Sequence, residues 1–392
     1  MFRFFSLAYI TSGFVAVLVG YTSAAAIVFQ AAAAGGATVD QISSWLWALG
    51  LGMGISGISL SLYYKHPVMI AWSTPGAALL VTSLPGIPMS EAIGAFLLSS
   101  VLITLCGITG WFNHIMRLVP QALASALLAG VLLRFGLDIF VAMESDFTLV
   151  GLMLISYIGA KHLLPRYATP LTFLTGVVAA GFMGSIETVQ LEASFTRPVF
   201  VMPEFSLATL IGVGVPLFVV TMASQNVPGI AVLRGHGYQT PASPLISWTG
   251  FTGILLAPFG GFAFNLAAIT AAICMGKDVD SDQGRRYMAA IWAGIFYIIA
   301  GLFGAGVTGL FSTFPQELIM AIAGLALLGT IANSLNNALK DESTHEASIL
   351  TFAITASGMS LLTIGSAFWG LLVGLLIYGL VSFRQKGNYS AK

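Results

Sequence analysis

Charge is what this sequence has least of. Of its 392 residues only 8% are Asp, Glu, Lys or Arg, against 57% hydrophobic. A soluble domain carries about a quarter charged residues. A chain this poor in charge cannot cover a water-facing surface, which excludes a soluble enzyme or binding module and leaves a polytopic membrane protein. The formal net charge is zero, so nothing suggests a nucleic-acid partner. There are two cysteines, Cys106 and Cys274, far apart in apolar runs, which excludes a disulfide framework or a thiolate metal site. The five histidines (His66, His114, His162, His236 and His345) fall in polar segments or at span ends. There is no His-Glu-x-x-His, no Gly-Lys-Ser/Thr after a glycine run, and no nucleophile with a base and an orienting group. Neither an enzyme, a bound metal nor a cofactor is expected. The run Gly52-x-Gly54-x-x-Gly57 has dinucleotide-loop spacing but sits inside an apolar span, and reads as close helix packing.

What is present is one apolar span after another. Fourteen are predicted, from 13–34 through 68–84 and 260–276 to 366–383. The N-terminal "MFRFFSLAYITSGFVAVLVG" reads as a first transmembrane helix and not a signal peptide, because its apolar run continues to Ala34. With a cytoplasmic N-terminus, all of the 15 Lys and Arg residues except Arg134 and Arg197 fall in cytoplasmic segments. The long outer segments carry Asp40, Glu144, Asp146, Glu187, Glu192 and Glu204 instead. This is the positive-inside pattern, and it puts both termini in the cytoplasm of a multi-pass inner-membrane protein. The outer loop at 187–205, "VQLEASFTRPVFVMP" within it, reads as a short β-hairpin.

The sequence also repeats. "ITGWFNHIMRLVPQALASALLAGVLL" (108–133) and "VTGLFSTFPQELIMAIAGLALL" (307–328) share a Thr-Gly opening and a Pro-Gln-x-Leu helix start, with Pro120 and Pro315 separated by 195 residues. That offset spans seven passes. Seven is odd, so the second copy is inverted, as in many secondary transporters whose substrate sits near the bilayer midplane at discontinuous helices. Passes three and ten are then equivalent. Pass three contains "IAWSTPGAALL" (70–80), in which Ser73 and Thr74 are good N-caps and Pro75 suits a first helical turn. In pass ten, "APFGGFAFNLAAITAAI", Gly260 and Gly261 loosen the chain before a helical run from Phe264. Each reads as an extended stretch followed by a half-helix, with a Pro/Gly kink in a continuous helix as the other reading. Irregular backbone at that depth is tolerated only inside protein or beside a cavity. Two opposed helix N-termini there form an anion site.

At these residues the chain resembles the benzoate/proton symporters, the BenE family. "AWSTPGAALL", "LCGITG", "LLAGVLLRFGL", "PLFVVTMASQNVPGIAVL", "AAITAAIC", "AGIFYIIAGLFG" and "IGSAFWGLL" carry the resemblance, which spans nearly the whole chain. It is more distantly similar to the nucleobase transporters, such as the uracil permease, and to the sulfate permeases. The resemblance implies a seven-plus-seven inverted repeat in an all-α membrane protein, with passes three and ten as strand plus half-helix. A core domain (1–118 and 206–314) would hold substrate and move against a gate domain (119–205 and 315–392). It implies proton-coupled import of benzoate or a similar small aromatic carboxylate. An uncoupled anion facilitator and a nucleobase carrier are the competing readings. The chain departs from the nucleobase carriers at both of their carboxylates. Gln225 stands where they have a Glu in pass eight, and Phe264 where the uracil permease has a second Glu, before the retained Asn265. A carboxylate would repel an anionic substrate, so the departures favour an aromatic acid.

The expected substrate contacts are Tyr21 and Ser23 in pass one, Ser73 and Thr74 in pass three, Gln225 and Asn226 in pass eight, and Phe262, Phe264 and Asn265 in pass ten. A capping role alone for Ser73 and Thr74, and a bracing role alone for Asn265, are the competing readings. Arg134 and Asp138, four apart in pass five, read as a structural ion pair or a gate contact. No proton carrier stands out. The substrate acid itself, Asp138, or a rim carboxylate such as Glu91 or Glu317 could serve. A homodimer is left open, and lipid surrounds the whole.

Overall fold

The computed structural model describes residues 5–110, 120–186, 195–277, 279–361 and 364–389. The first half runs α1 (Leu7–Ala34), α2 (Val39–Tyr64), β1 (Ile70–Trp72), α3 (Thr74–Ser83), α4 (Met89–Ile108), α5 (Gln121–Ser145), α6 (Phe147–Leu163) and α7 (Ala168–Met183). The second half runs α8 (Leu207–Gly235), α9 (Ala242–Leu256), β2 (Phe264–Leu266), α10 (Ile269–Met275), α11 (Tyr287–Leu302), α12 (Gly304–Thr313), α13 (Gln316–Ala338), α14 (His345–Ala356), β3 (Ser360–Leu361), β4 (Ile364–Gly365) and α15 (Ser366–Tyr389). Among the described residues seven helices are long and apolar enough to cross a bilayer, or eight if the pair α11–α12, bent by 69°, counts as one. The shorter apolar helices α6, α7 and α15, and the very short α3 and α10, make up the rest, so helix length alone gives fewer crossings than the predicted fourteen.

The packing obeys an exchange of halves. α2 lies along α11, and its equivalent α9 lies along α4. α5 packs on its own counterpart α13, α6 on α7, and α14 on α15. The crossing contacts follow the same rule: α1 touches α10, and α8 touches α3. This is the inverted-repeat architecture.

Local sequence explains the main boundaries. Thr38 and Gln41 form a reciprocal capping box at the start of α2, the Thr38 hydroxyl accepting from the Gln41 N–H and the Gln41 side chain from the Thr38 N–H. Pro120 and Pro315 are the N-caps of α5 and α13, with matching extended dihedrals (φ −54°, ψ 137° and φ −60°, ψ 147°), which is where the repeat placed them. The glycine run in α2 does packing work. A Cβ on Gly54 would lie 2.5 Å from the Gly294 carbonyl oxygen on α11, and one on Gly50 would lie 2.6 Å from Gly301 Cα. These backbones touch, and only small residues allow that approach in lipid, where there is no hydrophobic drive to bring helices together.

Three expectations are corrected. The helical run expected from Phe264 is strand at 264–266, and the helix starts at Ile269. Ala263, with φ of 44°, turns the chain into that strand. The pass predicted as continuous over 287–306 breaks after Leu302, where Phe303 leaves helical dihedrals (φ −100°, ψ 23°). In the loop expected to be a hairpin, 187–194 lie outside the described residues, and 195–205 contain no strand. Part of the first repeat copy, 111–119, also lies outside the described residues.

Candidate functional site

The strands β1 and β2 come from opposite halves and pair antiparallel, Ile70 against Leu266, Ala71 against Asn265 and Trp72 against Phe264. The Ala267 N–H donates to the Met69 carbonyl oxygen at 2.9 Å, which extends the join. Each strand runs into a short helix, α3 at Thr74 and α10 at Ile269. The ladder gives the strands the backbone partners that lipid would not. It also fixes two helix N-termini beside one another, each from one half.

Ser73 is the N-cap of α3 and fully buried. Its Oγ accepts from the Gly76 N–H at 3.0 Å, and Pro75 occupies the first turn. Its hydroxyl oxygen is therefore committed to capping, whereas Thr74 beside it is half-buried. At the far end of α10, Arg286 is 7% exposed. It donates from Nη1 to the Met275 carbonyl oxygen at 2.9 Å and from Nε to the Asp280 carbonyl oxygen at 2.8 Å. A cation on the last carbonyls complements the helix dipole and leaves the positive end facing the strand crossing. In the same loop the Tyr9 hydroxyl donates to the Asp280 carboxylate and holds its pKa below the ordinary value.

Pass eight is α8, which contains two π-turns, Leu210–Gly214 and Met222–Asn226. Single π-turns inside α-helices recur at functional sites because they rotate side chains out of register. The second one carries Gln225 and Asn226. Asn226 is fully buried. Its Oδ1 accepts from the Leu266 N–H at 3.0 Å, and its Nδ2 donates to Met222 Sδ at 3.2 Å. Its amide thus holds β2. Gln225 is half-buried and has no hydrogen-bond partner among the described residues. Asn265 donates from Nδ2 to the Ala263 carbonyl oxygen at 3.0 Å, across the positive-φ turn, while its buried Oδ1 has no partner.

Tyr21 on α1 lies edge-on to Trp72, ring centroids 5.0 Å apart, and is tilted against Tyr297 of α11 at 6.1 Å. Its buried hydroxyl oxygen is also unpartnered. A Cβ on Gly20 would meet Tyr297 Oη at 2.9 Å and the Thr270 methyl at 3.6 Å, so α1, α10 and α11 converge here. Backbone at Ser23 continues α1, but its side chain lies outside the described residues. Phe262 is fully buried against Trp45 and Phe96, at 5.6 and 5.7 Å. Phe264, 1% exposed, fills the space left by Gly52, where a Cβ would lie 2.4 Å from its ring. Both rings are thus already packed on protein. The structure gathers Tyr21, Ser73, Thr74, Gln225, Asn226 and Asn265 around the strand crossing. Trp72, Thr270 and Tyr297 were missed, because aromatics in apolar runs carry no signal until the strand register aligns them. Arg134 and Asp138 are not within ion-pair distance. Among the described residues no Asp or Glu is buried, so nothing acidic sits at the crossing.

Residues 3–380 match the BenE family, described as benzoate membrane transport protein. The chain belongs to that family. It is 39% identical over 373 residues to the benzoate membrane transport protein of Acinetobacter baylyi, covering 95% of each chain. It is 49% identical over 377 residues to the inner membrane protein YdcO of Escherichia coli, covering 96% of each. The fold is similar to the transmembrane domain of a cyanobacterial bicarbonate transporter, BicA, with a TM-score of 0.60 at 13% identity, over 94% of this chain and 96% of that one. This BenE-family chain is therefore a multi-pass membrane transport protein, as the resemblance implied.

Proposed function

We propose that the chain imports benzoate or a similar small aromatic carboxylate together with protons. The substrate carboxylate sits at the N-termini of α3 and α10, and its ring lies toward Tyr21 and Trp72. One observation carries this reading: two strand–helix breaks, one from each half, meet at a crossing without any buried acid. Polarity favours an anion there, because the positive dipole ends of both helices point at the crossing. α3, with ten residues, is the stronger of the two, and α10 is shorter but carries Arg286 on its far end. Gln225 supplies a half-buried amide with hydrogen-bonding capacity to spare, and the unpartnered Tyr21 hydroxyl and Asn265 Oδ1 leave polar groups for a ligand or a water.

In this reading residues 1–118 and 206–314 form the substrate-holding core, residues 119–205 and 315–392 form the gate, and the termini are cytoplasmic. Core and gate slide past one another, and the site faces each side in turn. The relative named for benzoate transport supports the substrate class. Uptake into proteoliposomes tests it. Labelled benzoate should accumulate above its equilibrium level under an imposed inward proton gradient. Equilibration without accumulation would replace coupled import with an uncoupled facilitator, and no benzoate flux would remove the substrate assignment.

A further inference from the structure

Residues 195–205 lie on the connection between the two halves, and their N–H groups are spent on the core. The segment, "FTRPVFVMPEF", carries Pro198 and Pro203, which favour an extended course and bring no N–H of their own. The Thr196 N–H donates to the Leu302 carbonyl oxygen at 2.9 Å, the Val201 N–H to the Pro258 carbonyl oxygen at 2.8 Å, and the Glu204 N–H to the Ser90 carbonyl oxygen at 2.9 Å. The Val199 N–H donates to Ser44 Oγ at 2.9 Å, and that hydroxyl donates on to the Phe259 carbonyl oxygen at 3.0 Å. The segment therefore crosses the end of α11, the start of α2, the turn at 257–259 and the start of α4, in that order. It lies hard against α4, where a Cβ on Gly94 would stand 2.0 Å from the Glu204 carbonyl oxygen. No strand results, because each bond goes to a helix end, a turn or a side chain.

Thr196 sits at the 69° bend between α11 and α12. A helix that stops at Leu302 leaves carbonyls without partners, and one that restarts at Gly304 leaves N–H groups without them. Phe303, the N-cap of α12, offers no side-chain acceptor. Thr196 serves both sides of the break. Its N–H takes the Leu302 carbonyl, and its Oγ1 accepts from the Ala305 N–H at 2.8 Å. It is an N-cap supplied from a distant segment of the chain. Thr196 is buried, and Phe195 beside it stacks on Phe303 with ring centroids 5.2 Å apart. A Cβ on Gly304 would lie 3.0 Å from the Ser43 carbonyl oxygen and 3.2 Å from Thr196 Oγ1, so the start of α12 is closed in between α2 and this segment.

The other end of α12 meets the part read as gate. Phe311 stacks between Phe29 of α1 and Phe173 of α7, at 6.3 and 6.2 Å, and Phe314 meets the Phe173 ring edge-on at 5.5 Å. The chain then enters α13 at Gln316. α12 thus runs from a start held by hydrogen bonds on the core to an end held by ring contacts at the gate. Ring contacts tolerate sliding better than a capped break does, because their attraction is not tied to one geometry.

We propose that residues 195–205 are a strap that travels with the core, and that Thr196 anchors the core end of a hinge formed by α12. This rests on the core-and-gate reading above and moves its boundary from 205 to the start of the strap. A core sliding beneath a strap fixed to the gate would break four main-chain bonds, those of Thr196, Val199, Val201 and Glu204, whereas a strap that rides with the core keeps them all. One segment joins the halves, so the inverted repeat supplies no counterpart, and the brace belongs to one face of the membrane.

Ser44→Cys combined with Val199→Cys tests which body the strap belongs to, in proteoliposomes with labelled benzoate. Both native cysteines are buried, so a mild oxidant closes the introduced pair alone. Uptake by the cross-linked protein should match that of the reduced protein. Uptake that stops on cross-linking and returns on reduction overturns the strap. Thr196→Val keeps the branched shape and the main-chain donor but removes the cap acceptor. Its kcat should fall on the order of fivefold, the size of one helix cap, with the benzoate Kd unchanged because the strand crossing is untouched. Thr196→Ser should recover it. A kcat equal to wild type, or a Kd that shifts as much as kcat, overturns the hinge role. Hydrogen exchange needs no substrate and no variant: the Val199, Val201, Glu204 and Ala305 amides should exchange as slowly as those inside α2. Rapid exchange there overturns the proposal whatever the substrate and whether or not Thr196→Val folds. Absence of benzoate flux in the wild type would instead fail the import reading, with the exchange result still deciding the strap.

Discussion

Asn226→Ala removes one hydrogen-bond acceptor and with it the side-chain link between α8 and β2. In the structure the Leu266 N–H donates to Asn226 Oδ1 at 3.0 Å, both groups fully enclosed. Alanine leaves that buried N–H without its partner, a loss of roughly 1–3 kcal/mol. The vacated amide volume and the lost contact to Met222 Sδ add to it. β2 carries Asn265 and leads into α10, so the substrate site should loosen along with the fold. Melting of the purified protein should drop by several degrees, taking about 2–4 °C for each kcal/mol as in mid-sized domains. Asn226→Asp separates the two effects. It keeps an acceptor for Leu266 but puts a negative charge in a fully enclosed site, so its loss of benzoate binding should exceed that of Asn226→Ala. A melting temperature for Asn226→Ala within about 1 °C of wild type would mean the bond contributes well under 1 kcal/mol, and would refute Asn226 as the brace of β2.

Gln225→Glu should weaken benzoate binding on the order of 100-fold, since two carboxylates about 6 Å apart at an effective dielectric of ~20 repel by roughly 2–3 kcal/mol. Isothermal titration or a ligand-induced thermal shift reads this directly. Gly260→Ala should abolish folded protein, because Gly260 has φ of 89° and a Cβ there would lie 1.8 Å from Trp45 Cδ1; size-exclusion chromatography after expression reports it. Tyr9→Phe should remove the main cause of the lowered Asp280 pKa. A depressed carboxylate contributes stability that is present above its unfolded value of 3.8 and lost as pH falls through its lower folded value. Wild type and variant should therefore differ at neutral pH and converge below that value in acid-melting curves, by a small amount because Asp280 is nearly unburied.

The architecture was legible because its signals are compositional and repeated. Pro120 and Pro315 mark equivalent helix starts, and Ser73-Thr74-Pro75 marks a helix start at an unexpected depth. Pass ten was read one step out of register, since its Gly-Gly pair suggested extended chain ending at Phe264. Asn226 donates no sequence signal of its preference for β2, and the strand continues because a backbone partner exists across the halves. The breaks at Leu302 and in α8 were invisible for the same reason: a π-turn or a bend is decided by what packs alongside. Phe262 and Phe264 show the limit most plainly. Position suggested ring stacking on a ligand, and their rings instead fill protein interior against Trp45, Phe96 and Gly52.

The three-residue ladder between β1 and β2 also bears on how such a chain could arise. Among the described residues neither strand pairs with another strand of its own half. A gene encoding one half alone would leave a row of backbone groups bare at the centre of a membrane, where each costs several kcal/mol. Such a half could persist only by meeting a second copy inserted the opposite way up, with strand against strand. Fusion of two copies would then have turned an encounter between molecules into a fixed internal one. Only after that could the two halves drift apart in sequence.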